Sequence, residues 1–273
     1  MEVTDKIYKS EVDLKEFPQN LAVMLAQNAE NFSNLPVYQE IKNGEYEPLT
    51  WSQFITDISL IQDYLVSTGF KSGDHLAILS ENRQEMLELE LAVMAMGGCI
   101  VPIFSGYDAE KADTLVNFCD AEYVAVADDI QLNKISVPDK FKNIIHFEGV
   151  NHPARNLIHF EEILSSGSDH KLLGSHMDKQ AVCLMMYTSG TMSKPKLVQL
   201  THENILSQQA AMKTLWNLKS TDRFLSYLPW HHSFGGIYEK YSAICNGAVL
   251  SLDNSFGKNV DQMISNWDKV KPT

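Results

Sequence analysis

A chain of 273 residues can build one large domain or two modest ones, and 44% apolar with 21% charged residues is a globular composition, which excludes a disordered or collagen-like chain. A formal charge of −13 excludes a general affinity for nucleic acid or anionic membrane, so any anionic ligand must be held by a local set of donors. The opening MEVTDKIYKSEVDL lacks the basic start and apolar core of a secretory signal, which makes the cytosol the expected compartment.

Thr50, Ser52 and Gln53 open a segment in the manner of a capping box, and Phe54, Ile58, Ile61 and Leu65 then share one helical face before Gly69 ends it. After the Gly73–Asp74 turn, HLAILS predicts a strand, the stretch through Met86, Leu89 and Val93 a helix, and CIVPIF a second strand, which is a βαβ unit. The longest apolar run, Leu91 to Phe104, is too short to span a bilayer and is broken by Gly97, Gly98 and Pro102. A helix from Asp108 to Phe118 leads to the strands YVAVA and NIIHF. The alternation predicts an α/β fold of layered sheets with helices on both faces. Between Leu164 and Gln180 the chain turns polar and loses any firm period, so it is the expected linker between subdomains 1–176 and 177–273, with the first 48 residues free to pack on the second. Beyond it AVCLMMY and KLVQLT predict two strands, and Thr201 caps a helix on which Ile205, Met212, Leu215 and Trp216 share a face. Cys99, Cys119, Cys183 and Cys245 stand singly in apolar surroundings and read as reduced core cysteines.

The segment MMYTSGTMSKPKLVQLTHENI, Met185–Ile205, places a hydroxyl-rich loop between those two strands. It is not a Walker loop, because Pro195 precedes Lys196 and a strand follows, and it is not a dinucleotide fingerprint, because Gly190 stands alone. Thr188, Ser189, Thr191 and Ser193 with Lys194 and Lys196 suit a polyphosphate; a polar hairpin turn accounts for the same composition. Further on, His231 and His232 are adjacent with no third ligand nearby, so no metal is assigned to them.

The order of residues in this loop closely resembles the phosphate-loop signature of the adenylate-forming (AMP-binding) superfamily. Tyr187, Thr188, Ser189, Gly190, Thr191, Pro195, Lys196, Val198, Leu200, Thr201, His202 and Asn204 match it, while Met192, Ser193 and Leu197 depart from it. The segment from Leu49 to Phe104, with Asn82 at the family's loop asparagine, resembles the amino-terminal core of these enzymes, and LSYLPWHHSFGG, Leu225–Gly236, resembles their next motif.

The resemblance implies the amino-terminal part of the large domain of an adenylate-forming enzyme of the acyl-CoA synthetase branch. It implies ATP-dependent activation of a carboxylic acid, fatty or aryl, to acyl-AMP and thioester formation with CoA. Mg2+ is expected to be held mainly through ATP. Thr188, Ser189, Gly190, Thr191, Met192, Ser193, Lys194 and Lys196 are implied in ATP binding, with Lys196 and His232 as the catalytic residues. Trp230, His231, Phe234 and Gly235 are placed at the substrate pocket, with a plain core or loop histidine as the alternative for His231 and the core for Trp230 and Phe234. The family's later motifs have no counterpart here, so the expectation is a chain that continues past Thr273, is inactive alone, and leaves apolar surface exposed where the remainder docks. A non-catalytic nucleotide-binding or scaffolding relative is the alternative.

Overall fold

The computed structural model describes residues 10, 12–165, 171–188 and 195–273. The helix α1 (Leu21–Phe32) is capped by the Asn20 carboxamide oxygen, which accepts the Val23 N–H. A hairpin of β1 (Pro36–Lys42) and β2 (Glu45–Thr50) follows, turning at Asn43 and Gly44, both with positive φ (52° and 88°). That is the conformation an Asn-Gly pair adopts most readily. Thr50 and Gln53 form the reciprocal capping box expected for α2 (Trp51–Ser67). The central units are β3 (His75–Ser80), α3 (Gln84–Ala95), β4 (Cys99–Phe104), α4 (Ala109–Phe118), β5 (Tyr123–Val126), α5 (Asp129–Leu132), β6 (Asn143–His146), β7 (Leu157–His159) and α6 (Phe160–Ser165). Next come β8 (Val182–Tyr187), β9 (Leu197–Thr201), α7 (His202–Trp216) and β10 (Arg223–Ser226). A wide-turned π segment, Phe234–Glu239, runs directly into α8 (Lys240–Cys245), followed by β11 (Val249–Leu252) and α9 (Val260–Val270).

The strands form two sheets. One has the order β7-β6-β5-β3-β4-β8-β9, parallel except for β9; the other has the order β10-β11-β1-β2, parallel except for β2. Between the sheets lies the larger core, built from α1, α2, α3 and α8 with Trp51, Phe54, Trp230 and Tyr241 among its side chains. A second core lies on the outer face of the seven-stranded sheet, beneath α4. The fold is thus the layered α/β arrangement expected. Cys99, Cys119 and Cys183 are buried free thiols, as their surroundings implied. Among the described residues no helix is long and apolar enough to cross a membrane.

Three expectations need correction. The chain does not divide at 176/177: β8 pairs with β4 through Ile100 and Leu184, so the seven-stranded sheet joins residues from either side of that position, while the pairing of β1 with β11 through Tyr38 and Leu250 lies within the allowance made for the first 48 residues. The described part of the polar stretch, 171–180, is a strap rather than a free linker. The Asn20 side-chain amide donates to the carbonyls of Gly174, Ser175 and Met177 at 3.3, 3.1 and 2.9 Å, and the Gln62 carboxamide oxygen accepts the Leu173 N–H at 2.7 Å. The strap's backbone is held by side chains of α1 and α2 while most of its own polar side chains face solvent. On α7, Ile205 and Met212 are buried but Leu215 and Trp216 are exposed, because only the first turns of the helix reach the core.

Candidate functional site

From β3 the chain crosses through α3 to β4 on one side, and from β4 it crosses back through α4 to β5 on the other. Right-handed crossovers put α3 and α4 on opposite faces of the sheet, and the two helices do belong to different cores. The loops leaving Ser80 and Phe104 therefore part, and a crevice opens between them at the carboxyl ends of the strands, where open α/β sheets bind ligands. A small cleft occupies this place, floored by Ser80, Glu81, Asn82, Phe104 and Ser105 and walled from the other sheet by Tyr227, Pro229, His231, Phe256 and Lys258. The Lys258 ammonium reaches the Glu81 carboxylate at 3.2 Å, an ion pair exposed to solvent.

One buried side chain joins the two walls. Asn82 donates through Nδ2 to the Leu228 carbonyl at 2.8 Å and accepts the Trp230 backbone N–H at Oδ1, 2.9 Å away. Trp230 is fully buried, with its indole N–H donated to Ser226 Oγ at 2.9 Å and the Lys240 ammonium 5.2 Å from its ring centre. It anchors the turn from within the core and does not line the cleft, which corrects its placement at the substrate pocket. From this anchor His231 points into the cleft and stacks on Phe104, ring centres 4.5 Å apart. Burial, and then the neighbouring His232, push the His231 imidazole down to about 4, so it is neutral at physiological pH.

His232 is exposed; its N–H donates to the Pro229 carbonyl at 3.1 Å, and its own carbonyl accepts the Gly236 N–H at 2.7 Å. The chain folds back so tightly that a Cβ on Gly235 would stand 2.4 Å from the Pro229 carbonyl oxygen, and one on Gly236 2.1 Å from that of Trp230. Gly235 is therefore a close-packed structural position. Phe234 lies 67% exposed and stacked on Tyr238, neither in the core nor on the cleft wall, contrary to both readings of it.

The expected phosphate loop is the turn of the β8–β9 hairpin, whose base closes through Thr188 N–H donated to the Lys196 carbonyl at 3.1 Å. Thr188 and Lys196 have exposed side chains there; Ser189, Gly190, Thr191, Met192, Ser193 and Lys194 lie outside the described residues. The hairpin base adjoins the histidine turn, since the Met186 methyl lies 3.2 Å from the position of a Cβ on Gly236. Leu197, where the family signature has glycine, pairs with Tyr187 in the strand, packs on the outer core and has no positive φ, so a side chain is accommodated at that position. His202, a match to the signature, is buried away from the cleft; its Nδ1 accepts the Leu21 N–H at 3.4 Å, and burial pushes it down to about 4.

The structure thus brings His231, Asn82 and the hairpin base to one edge. It adds Ser105, Phe256 and Lys258 from outside every matched segment, and Ser80, Glu81, Phe104 and Tyr227 from within them that no reading had singled out, because the crevice arises from strand order.

Residues 25–273 match the AMP-binding enzyme family. Fatty acyl-CoA synthetase B of Dictyostelium discoideum is 28% identical over 69% of this chain and 30% of its own length. The long-chain-fatty-acid–CoA ligase ACSBG2 of Mus musculus is 26% identical over 94% of this chain and 41% of its own. The chain therefore spans less than half the length of these relatives. The fatty acyl-adenylate ligase of L. pneumophila, solved with acyl adenylate and pyrophosphate, superposes with a TM-score of 0.74 at 22% identity, over 93% of this chain and 43% of that one. By its sequence match across nearly all of its length and by its fold, this chain belongs to the AMP-binding enzyme family.

Proposed function

We propose that the whole protein activates a carboxylic acid, fatty or aryl, with ATP and transfers the acyl group to CoA, and that these 273 residues do not complete the reaction alone. A carboxylate is a poor electrophile because its charge must be lost and its oxygen is a bad leaving group. In the proposed first step a carboxylate oxygen bonds to the α-phosphorus of ATP and the bridging bond to pyrophosphate breaks. In the second, the thiol sulfur of CoA bonds to the acyl carbon, its proton is lost, and AMP leaves.

The observation that supports this reading is the convergence of the β8–β9 hairpin base and the Asn82-held histidine turn at one edge of the sheet. The strands flanking the hairpin turn, VCLMMY and LVQLT, carry no acid in a chain of net charge −13, and Thr188 and Lys196 stand exposed at its base. These donors fit a polyphosphate. Lys196 and Thr188, with Ser189, Gly190, Thr191, Met192, Ser193 and Lys194, would hold the β and γ phosphates for departure. Mg2+ supplies further neutralisation of phosphate charge and would arrive with the nucleotide. His232 would hydrogen-bond oxygens of the reacting acyl phosphate, and the neutral His231 would line the acyl side of the cleft.

The test is acid-dependent ATP–pyrophosphate exchange in a protein extended to the length of its relatives. Exchange should fall by roughly 10- to 100-fold with Lys196→Ala and much less with Lys194→Ala. Equal effects would overturn the residue assignment. Absence of exchange across fatty and aryl acids, with ATP still raising the melting temperature, would establish the non-catalytic alternative.

A further inference from the structure

Beneath the histidine turn a chain of hydrogen bonds runs from the buried Trp230 outward to the half-buried Glu239, and the reaction above does not use it. The Trp230 indole N–H donates to Ser226 Oγ at 2.9 Å, and Ser226 Oγ–H donates to Glu239 Oε2 at 2.7 Å. The other carboxylate oxygen, Oε1, accepts the Tyr227 backbone N–H at 3.3 Å. The direction of this relay is fixed at one end, because an indole nitrogen can only donate. Ser226 is fully buried, so its single proton must go to Glu239. Glu239 is the last residue of the π segment that begins two residues after His232, and helices of this wide-turned kind recur at functional sites.

We propose that Glu239 is a positioning residue for the site, its carboxylate holding the His231–His232 turn through Ser226 and Trp230 and releasing that hold on protonation. The inference rests on the reading of this turn as part of an acid-activating site. With both carboxylate oxygens accepting, the ionised form is fully satisfied. A proton on Oε2 would face the Ser226 hydroxyl hydrogen, and a proton on Oε1 would leave each oxygen a weaker acceptor for Ser226 and for the Tyr227 N–H, so protonation loosens the relay.

The surrounding charges leave Glu239 able to titrate. Lys240, next in sequence, gives its ammonium to Glu90, and Tyr241 on the same helix also donates to Glu90. Arg223, on the adjoining strand β10, is turned to the carbonyls of Val270 and Lys271. Asp253, beyond β11, adds like charge. Burial, opposed by the Ser226 and backbone hydrogen bonds and reinforced by Asp253, pushes the Glu239 carboxyl up to about 7. Protonation and release therefore fall within the physiological range.

Fluorine NMR of the 273-residue chain carrying 5-fluorotryptophan tests the relay without requiring activity. Trp51, Trp216, Trp230 and Trp267 give four resonances, and Trp230→Phe identifies the one in question. The Trp230 resonance should move with a midpoint near pH 7. The midpoint should vanish in Glu239→Gln, and the response should be uncoupled in Ser226→Ala. A Trp230 resonance that is flat from pH 5.5 to 8.5 in the wild type, or a midpoint that survives in Glu239→Gln, overturns the proposal. A flat wild-type titration overturns the proposal even if a variant does not fold. In the extended protein, Glu239→Gln should lower the exchange rate by roughly 10- to 100-fold with ATP KM little changed, and should abolish the acid limb of its pH profile. A fall in ATP affinity with an unaltered profile would mean a merely structural role and also overturns it. A normal Trp230 titration in a protein with no exchange activity would leave the relay standing and remove the functional reading.

Discussion

The buried ion pair between Glu90 of α3 and Lys240 of α8 carries the sharpest energetic prediction, because it can be measured on this chain by itself. Each side chain is 1% exposed, and Lys240 Nζ lies 2.6 and 2.7 Å from the two carboxylate oxygens. Tyr241 donates its hydroxyl to the same carboxylate at 2.9 Å, and the ammonium lies 5.2 and 5.1 Å from the ring centres of Trp230 and Tyr241. Burial lowers the affinity of Lys240 for its proton and Glu90 opposes that change.

Lys240→Met removes the cation and leaves Glu90 with one neutral donor in the core. Stranding a buried charge in this way costs about 3–5 kcal/mol. For a chain of this size that is a fall in melting temperature of roughly 10 °C. Glu90→Gln strands the ammonium instead, but its cost has a ceiling. Shedding the proton at pH 7 from a lysine with an ordinary pKa of about 10.4 costs about 5 kcal/mol, beyond which the amine simply becomes neutral. The double variant Glu90→Leu/Lys240→Met removes both charges and should lie within about 2 kcal/mol of wild type, because neither desolvation penalty remains. Thermal and urea unfolding of these proteins together with Glu90→Leu, which closes the cycle with Lys240→Met and the double variant, gives the coupling energy. A single variant costing under about 1 kcal/mol, or a double variant costing the sum of the singles, would refute the reasoning.

Three further outcomes follow from the same physics. Gly174→Ala should cost roughly 2–4 kcal/mol, since its φ is +98° and the new Cβ would stand 1.7 Å from the Ala95 carbonyl oxygen, whereas Gly149→Ala, with open space around it, should be neutral in the same urea titration. His202 is held at about 4 against an ordinary 6.5, so the unfolded chain binds the extra proton between those values and its contribution to stability is present above pH 6.5 and lost as the pH falls to 4. The stability advantage of wild type over His202→Gln should therefore shrink by up to about 3 kcal/mol between pH 7 and pH 4, and a difference independent of pH would contradict the burial of a neutral imidazole. Burial pushes the Cys99 and Cys119 thiols up to about 12 and about 11, so at pH 8 an aromatic disulfide reagent should modify them only at the rate of unfolding; rapid labelling of the folded chain would show that these sites are open.

Features encoded locally were legible in the sequence. The Thr50–Gln53 capping box and the Thr201 cap both form, since their partners lie within four residues; the reciprocal bond from Asn204 to Thr201 was not read. The β1–β2 hairpin also had a local signal in Asn43–Gly44 but was not read. Its second strand lies at a sheet edge and is correspondingly polar, with Glu45 and Glu47 where a buried strand would be apolar. Strand order was not legible. The pairing of Tyr38 with Leu250 is a long-range event, and the crevice between Ser80 and Phe104 exists only because successive crossovers run in opposite directions. The last helix shows the same limit at a smaller scale. Val260, Ile264 and Trp267 stand in helical register, yet they are exposed, while Asn266 is buried and donates to the side chains of Asp253 and Asn254. Periodicity locates a stripe on a helix; it does not say what covers it.

The buried polar side chains around the cleft show what the fold achieves there. Asn82, Glu90, Ser226, Lys240, Asp253 and Asn266 are all at least nine-tenths buried, and each bonds to a residue distant in sequence. An apolar core of equal volume would hold the two sheets together at least as strongly, because burying a charge or an amide costs what its partner returns. Apolar contacts alone would tolerate a sliding of one sheet over the other, whereas the two bonds of Asn82, to Leu228 and Trp230, are satisfied in one register only. The polarity of this interface therefore acts on the position of the 229–232 turn more than on total stability. Asn82→Ala should accordingly displace His231 from its stack on Phe104, seen as a loss of the interaction between the two rings in NMR, even where the melting temperature falls by only a few degrees. An intact stack in that variant would show that the turn is held by packing alone.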